Sequence, residues 1–163
     1  MSASSLLRPL LLPVLGLTLL PNVGSGDETH RIGSCTLEPG TRCTHLAYEL
    51  KYKDLKHLDL RNSDFSHTSF HGSSLDGSDL RGATLVNAEF DMGSLSGADL
   101  RGADLTDAFM SLSRMHRVDL RGATLFNVDL RYAEGAASAR LEGARLCNTR
   151  LPGGELSHRD CPE

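Results

Sequence analysis

Apolar and polar positions in this chain alternate with a period of five residues. From Leu60 to Leu130, every fifth residue is Leu, Phe or Met. The position two residues earlier is Ala, Ser, Gly or Thr in twelve of these fifteen units. A helix has a period of 3.6 residues and a strand a period of two, so neither fits. The pattern predicts a square coil in which each pentapeptide forms one side and turns both regular positions inward.

A second period of 20 residues, or four pentapeptides, predicts that one coil has four sides. Residues 58–62, 78–82, 98–102 and 118–122 read LDLRN, SDLRG, ADLRG and VDLRG. Successive coils should lie about 4.8 Å apart, so equivalent residues stack in columns. The pattern predicts a charged ladder, an acidic column beside a basic one that neutralises it: Asp59, Asp79, Asp99 and Asp119 with Arg61, Arg81, Arg101 and Arg121. A solvated face is its simplest interpretation, and a surface for a repetitive polar polymer is the alternative.

The five-residue pattern is interrupted once, near its C-terminal end. After Leu130 it fails in the segment AEGAAS and resumes one residue late at Leu141. We expect a bulge or small loop near Gly135, because one extra residue must leave the coil there. A final, less regular coil should follow.

The repeated units resemble those of the pentapeptide-repeat family, whose usual unit is A-[DN]-L-x-x. SDLRG, ADLRG and ADLTD are close matches, and the resemblance covers residues 58–151. It implies an all-β fold, a right-handed quadrilateral β-helix of about four to five coils whose ends need caps. The segment CTLEPGTRC at 35–43 and the segment at 147–161 are similar to the cysteine-containing ends of a secreted subset of that family.

The N-terminus has the layout of a secretory signal peptide. Arg8 is the only charged residue before Asp27, and residues 9–20 form a short apolar core. Small residues at 23–26 then offer a cleavage site. The alternative, a buried N-terminal helix, would be interrupted by two prolines. We therefore predict a secreted or periplasmic protein without a membrane span after cleavage.

Four cysteines flank the repeats, two on each side. An even number in an exported chain predicts disulfides, and four cysteines allow three pairings. Neighbour pairing, Cys35 with Cys43 and Cys147 with Cys161, is favoured because each bridge would staple one end. The predicted organisation is a signal peptide at 1–26, an N-terminal cap segment at 27–57, a solenoid at 58–151 and a C-terminal tail at 152–163.

No residue pattern of a known type of catalytic or cofactor site occurs in the chain. The motifs G-x-S-x-G and H-E-x-x-H, a phosphate loop and a dinucleotide fingerprint are absent. His57, His67 and His71 lie close in sequence, but a third ligand in tetrahedral arrangement is not evident. We predict a protein that is not an enzyme and has neither cofactor nor metal.

An exposed apolar column is the candidate interaction surface. Met92, Leu112 and Tyr132 share a corner at 20-residue spacing, and Phe109 lies nearby. Such patches often mark contact sites. The alternative is that the C-terminal tail, including Leu156, folds back over them.

Three classes of function follow from these features. The first is an exported scaffold or interaction module, with an unknown protein, an envelope or extracellular partner, or a second copy as its ligand. The second is suggested by family analogy, a DNA mimic that binds gyrase and protects it from quinolones. Mimicry needs a continuous acidic face and a cytoplasmic address, whereas the arginine column lies beside the acidic one and the leader exports the chain. The net charge of −4 is too mixed in sign to imply that nucleic acid itself is a partner. The third is a glycan-binding or glycan-acting β-solenoid.

Overall fold

The structure, a computed structural model, describes residues 30–162. The predicted signal peptide lies outside the described residues. Regular elements occur only near the two ends of this part of the chain: β1 (His30–Ile32) pairs antiparallel with β2 (Cys35–Leu37), a 3₁₀ helix spans Ala136–Ser138, and β3 (Thr149–Arg150) pairs antiparallel with β4 (Leu156–Ser157). Among residues 30–162, no helix is long and apolar enough to cross a membrane.

Single-residue parallel bridges join successive coils between these elements. Asp59 pairs with Asp79, Asp79 with Asp99, and Asp99 with Asp119, each 20 residues apart. Three further series repeat the same spacing on the other sides: 54–74–94–114, 64–84–104–124 and 69–89–109. Four series, offset by five residues, mean that each coil has four sides of one pentapeptide each. The predicted 20-residue coil is confirmed.

The core is the column of large apolar residues in the centre of the coils. All fifteen residues at five-residue spacing from Leu60 to Leu130 are at most 1% exposed. Small residues two positions earlier, such as Ala98 and Ser78, are equally buried. Burying a side chain of Leu or Phe size stabilises a fold by about 1.5–3 kcal/mol. Stacking of coils therefore supplies the stability that a single coil lacks.

Each side ends in a corner with an unusual backbone. The second residue after a central apolar one has a positive φ in coil after coil, as at Gly82, Gly102 and Gly122, whose φ values are 66° or 67°. Glycine adopts this conformation without a steric penalty, and Asn and Asp tolerate it better than most residues.

The extra residue of the pattern forms a short helical turn. Gly135, with a φ of 75°, precedes the 3₁₀ helix. Bridges before it span 20 residues, as between Arg114 and Glu134, and bridges after it span 21, as between Asp119 and Arg140. The predicted small loop near Gly135 is confirmed.

A disulfide lies at each end of the described chain. Cys35 is bonded to Cys43, and Cys147 to Cys161, which is the neighbour pairing. At the C-terminal end the tail also adds backbone bonds to the last coil: the Asp160 N–H donates to the Leu146 carbonyl, and the Leu146 N–H donates to the Asp160 carboxylate, both at 2.8 Å.

Candidate functional site

Four exposed apolar side chains on three successive coils are here called the apolar edge. Met92, Phe109, Leu112 and Tyr132 are 62%, 56%, 64% and 61% exposed. The C-terminal tail does not shield them at these exposures, and its Leu156 is itself 42% exposed. Large apolar side chains in a row on a soluble protein are a feature of contact surfaces.

The backbone conformation of the apolar edge is unfavourable for its residues. Met92 and Leu112 both have a φ of 57°, in the left-handed region. For residues with a β-carbon this region costs about 1–2 kcal/mol. Because these side chains are exposed, their packing offsets little of this conformational cost. Strained conformations of this kind concentrate at functional sites, so the two residues are candidates for function rather than for stability.

The ladder between coils is interrupted beside Phe109. On this side of the solenoid Ser69 pairs with Glu89, Glu89 with Phe109, and Asp129 with Arg150, but Phe109 and Asp129 form no bridge. A groove of about 290 Å³ opens at the interruption. Here called the Phe109 groove, it is lined by Asn87, Asp107, Ala108, Phe109, Met110, Ser111, Asn127 and Asp129.

The charged ladder forms a series of two-point ion pairs. Each Arg donates from Nε and Nη2 to the carboxylate two residues earlier; in the Asp119–Arg121 pair these distances are 2.8 and 2.6 Å. A further pair of the same geometry, Asp129 and Arg131, lies outside this column, on the side of the solenoid that holds Phe109. Contacts to the next coil are longer, with Arg61 Nε 3.8 Å from the Asp79 carboxylate. The geometry makes the ladder a self-neutralised face.

The Arg121 hydrogen bonds hold the pKa of the Asp119 carboxyl at about 2, below its usual value, with Arg140 contributing as a nearby charge. Arg140 Nη1 lies 3.5 Å from this carboxylate, whose side chain is 16% exposed. Because the folded pKa lies below the unfolded pKa, the stabilisation is fully present above the unfolded value. It is lost as the pH falls from about 4 towards 2.

We expect Asp119→Asn to reduce the loss of stability in acid. The ionised Asp119 contributes about 2 kcal/mol at neutral pH by linkage, and Asn cannot titrate. Urea unfolding at pH 7 and pH 2 should therefore show a smaller pH-dependent drop in the variant. Asp54→Asn is the control, since Asp54 is 71% exposed beside Lys56. Equal drops in the wild type and Asp119→Asn would contradict the assignment.

The histidines noted in the sequence are spread over separate surface contacts. His67 stacks on His45 with ring centroids 4.7 Å apart, and His71 meets Tyr52 edge-on at 5.4 Å. The ring of His57 lies over Gly77. No group of three or more metal-ligating residues occurs among residues 30–162.

Three arginines of the last coil occupy the equivalent position of successive sides. The backbones of Arg140, Arg145 and Arg150 form β-bridges with those of Asp119, Thr124 and Asp129 in the coil before. The guanidinium of Arg145 also lies 5.1 Å from the centre of the Phe126 ring. Since the inserted residue shifts the spacing to 21, a 20-residue period does not reveal these columns.

Comparison with known sequences supports the repeat directly. Eight copies of the unit described as pentapeptide repeats match residues 54–91 and 94–131. A search of curated proteins found no match.

Several solved structures are similar to the chain. A pentapeptide repeat protein of the Arabidopsis thaliana thylakoid lumen is 27% identical over 61% of this chain and 62% of that one, with a TM-score of 0.45. HetL, involved in heterocyst differentiation regulation in Nostoc, is 27% identical over 72% of this chain and 50% of its own, with a TM-score of 0.44. QnrB1, a plasmid-mediated fluoroquinolone resistance protein, is 17% identical over 74% and 67%, with a TM-score of 0.39.

The chain spans about three fifths and one half of the first two structures, so their activities do not transfer to it. With its five-residue core, its 20-residue coils and eight matching repeat copies, the chain belongs to the pentapeptide repeat family, whose fold is a right-handed quadrilateral β-helix.

Proposed function

We propose that this protein is an exported, non-catalytic repeat module that binds another protein through its apolar edge. The observation that carries the proposal is the exposure of Met92 and Leu112 at corners where a large side chain is strained. Most other corners hold Gly, Asn, Asp, His or Arg, residues that either suit the conformation or interact well with water. Met92 and Leu112 occupy the same corner of successive coils, with Phe109 and Tyr132 beside them. Binding of a partner explains the presence of apolar residues in this strained conformation better than a contribution to folding does.

The disulfides support the export part of the proposal. Disulfides form and persist mainly in oxidising compartments, and the N-terminal sequence has the layout of a signal peptide. In this proposal residues 27–57 and 152–163 act as caps that shield the ends of a stack of about four to five coils. A cap also prevents the exposed coil edge from pairing with other chains.

The charged ladder favours an interaction module over a DNA mimic. Each carboxylate of the acidic column accepts two hydrogen bonds from its own arginine, so this face does not present a row of free negative charges. A protein that imitates the DNA backbone needs such a row. The apolar edge is therefore the stronger candidate for recognition.

Leu112→Asp should abolish the interaction while leaving the fold intact. Asp107 occupies the preceding corner of the same coil with a φ of 59°, so aspartate suits the backbone there. Loss of a central apolar anchor typically weakens an interface by more than about tenfold. Sedimentation velocity of the mature protein measures self-association. A photo-crosslinking residue in place of Tyr132, used in the extracellular fraction of the source cells, measures contact with other proteins.

Arg117→Asp is the matched control for this experiment. Arg117 lies one corner further along the same coil, is exposed and has a φ of 56°. It should leave both self-association and crosslinking unchanged. If the wild type neither associates nor crosslinks, or if Leu112→Asp behaves like Arg117→Asp, the proposal fails.

Export is tested separately by the intact mass of the native protein in cell fractions. We expect a mature N-terminus near residue 27 outside the cytoplasm, and a mass lower than that of the reduced form by the four hydrogens of two disulfides. An uncut and fully reduced chain in the cytoplasm would overturn the export proposal. A gyrase supercoiling assay would then be the next experiment.

A further inference from the structure

The Phe109 groove exposes backbone groups that are paired elsewhere on the same side of the solenoid. The Phe90 N–H donates to the Phe109 carbonyl at 2.8 Å, and the Leu130 N–H donates to the Arg150 carbonyl at 2.9 Å. Between these two levels, the N–H groups of Met110 and Asp129 make no such bond within the described chain. If the ladder continued, the Met110 N–H would donate to the Asp129 carbonyl, and the Asp129 N–H would donate to the Ala108 carbonyl. Both carbonyl groups also lack a backbone donor within the described chain. The groove thus offers backbone donors and backbone acceptors side by side.

The side chains that line the groove add further polar groups to this arrangement. Asn127 Nδ2 donates to Asp107 Oδ1 at 2.8 Å, which fixes that carboxylate and leaves its second oxygen free of protein bonds. The side-chain amide of Asn87 and the hydroxyl of Ser111, which both line the groove, make no hydrogen bond within residues 30–162. Asp129 is held by Arg131 at 2.6 Å and so carries no unbalanced charge into the groove.

The mixture of groups selects among ligand chemistries. A cation would match the acceptors but leave the N–H groups of Met110 and Asp129 unpaired, and an anion would face the Asp107 carboxylate. A hydroxyl group both donates and accepts, so a ring that carries several hydroxyls can satisfy both kinds of group. The half-exposed Phe109 ring offers an apolar surface for the C–H face of such a ring.

We propose that the Phe109 groove binds the pyranose ring of a neutral sugar. A pocket with an apolar wall and a few convergent polar groups is the usual form of a small-molecule site. The volume of about 290 Å³ lies just below the usual range of about 300–1,000 Å³, as suits a single sugar ring. The ligand class differs from the protein partner of the apolar edge, although Phe109 borders both. The proposal therefore does not depend on the proposed function.

The test is a titration of the ¹⁵N-labelled mature protein with the methyl β-glycosides of glucose, galactose, mannose and N-acetylglucosamine. We expect at least one of them to shift the amide resonances of Met110 and Asp129 saturably, with a dissociation constant in the millimolar range, about −4 kcal/mol. Phe109→Thr should weaken this binding by about tenfold or more, since it removes the apolar wall. Threonine suits the position because Thr84 and Thr124 occupy the equivalent slot of other pentapeptides.

Two further measurements separate this proposal from its alternatives. Asp107→Asn should also weaken sugar binding, and Asn87 and Asn127 show that asparagine fits the same corner. Leu112→Asp, which tests protein docking, should leave the sugar affinity unchanged. The proposal is overturned if none of the four glycosides, at a concentration of about 50 mM, shifts the amide resonances of Met110 and Asp129. N-acetyl-lysinamide serves as a probe for a basic side chain as the ligand. If it shifts these amide resonances more strongly than the glycosides do, the sugar proposal is also overturned.

Discussion

Phe90→Ala should lower the free energy of unfolding by about 3–5 kcal/mol, the range for deletion of a buried aromatic side chain. Phe90 is fully buried, and its ring stacks on that of Phe70 with centroids 5.1 Å apart and planes 3° from parallel. The coils above and below are held by backbone bonds, so they cannot collapse into the space. Urea unfolding monitored by circular dichroism would measure the change.

Two variants define what counts as a contradiction. Phe90→Leu restores the commonest residue of the central column and should cost less than about 1.5 kcal/mol. Phe126→Ala removes a half-buried ring from the outside of the coil and should also be mild. If Phe90→Ala were as mild as either of these, the stack of central side chains would not be the main source of stability.

The central column of apolar side chains could be predicted from the sequence because few backbone structures are compatible with its spacing. A five-residue period with a large and a small inward position is incompatible with a helix or a flat strand, and 20-residue similarity fixes the number of sides. The same regularity predicted the ion-pair columns, since Asp119 and Arg121 recur at fixed positions in the unit. An extra residue was visible at Gly135 because it broke a strict count.

Features of single coils could not be predicted in this way. The strain at Met92 and Leu112 became visible only when the backbone showed a positive φ at nearly all corners of this type, Tyr132 being an exception. Phe109 was noted as an exposed ring, but its place in an interrupted ladder depends on distances between coils that no pattern encodes. The five- and 20-residue periods describe only the features that all coils have in common. The Phe109 groove and the apolar edge arise where individual coils depart from those features.

Gly93 shows the same limit for packing. It occupies the small inward position that Ala fills in many units, so the sequence suggests that the two residues are interchangeable there. In the structure a β-carbon at Gly93 would lie 3.0 Å from the Ser73 carbonyl and 3.1 Å from that of Phe90. An alanine at this position would require these carbonyl groups to move by a few tenths of an ångström.

Removing the C-terminal disulfide should have the second large effect. In Cys147→Ser/Cys161→Ser, loss of a link that closes 14 residues should lower the free energy of unfolding by about 3 kcal/mol in the chain-entropy model. What then holds the tail is the short β3–β4 pairing and the bonds between Asp160 and Leu146. The double variant is preferable to a single one because it leaves no free thiol.

The location of the effect matters as much as its size, because each coil of a solenoid contacts only its neighbours. Hydrogen exchange should therefore accelerate in residues 141–151, where the tail is attached, and remain slow in the central coils around Leu100. Cys35→Ser/Cys43→Ser, the matched control, should loosen the N-terminal end instead. If exchange rose equally throughout the chain, the bridge would stabilise the whole fold rather than cap one end. The proposed role of the tail would then have to be given up, while the core of stacked coils would stand.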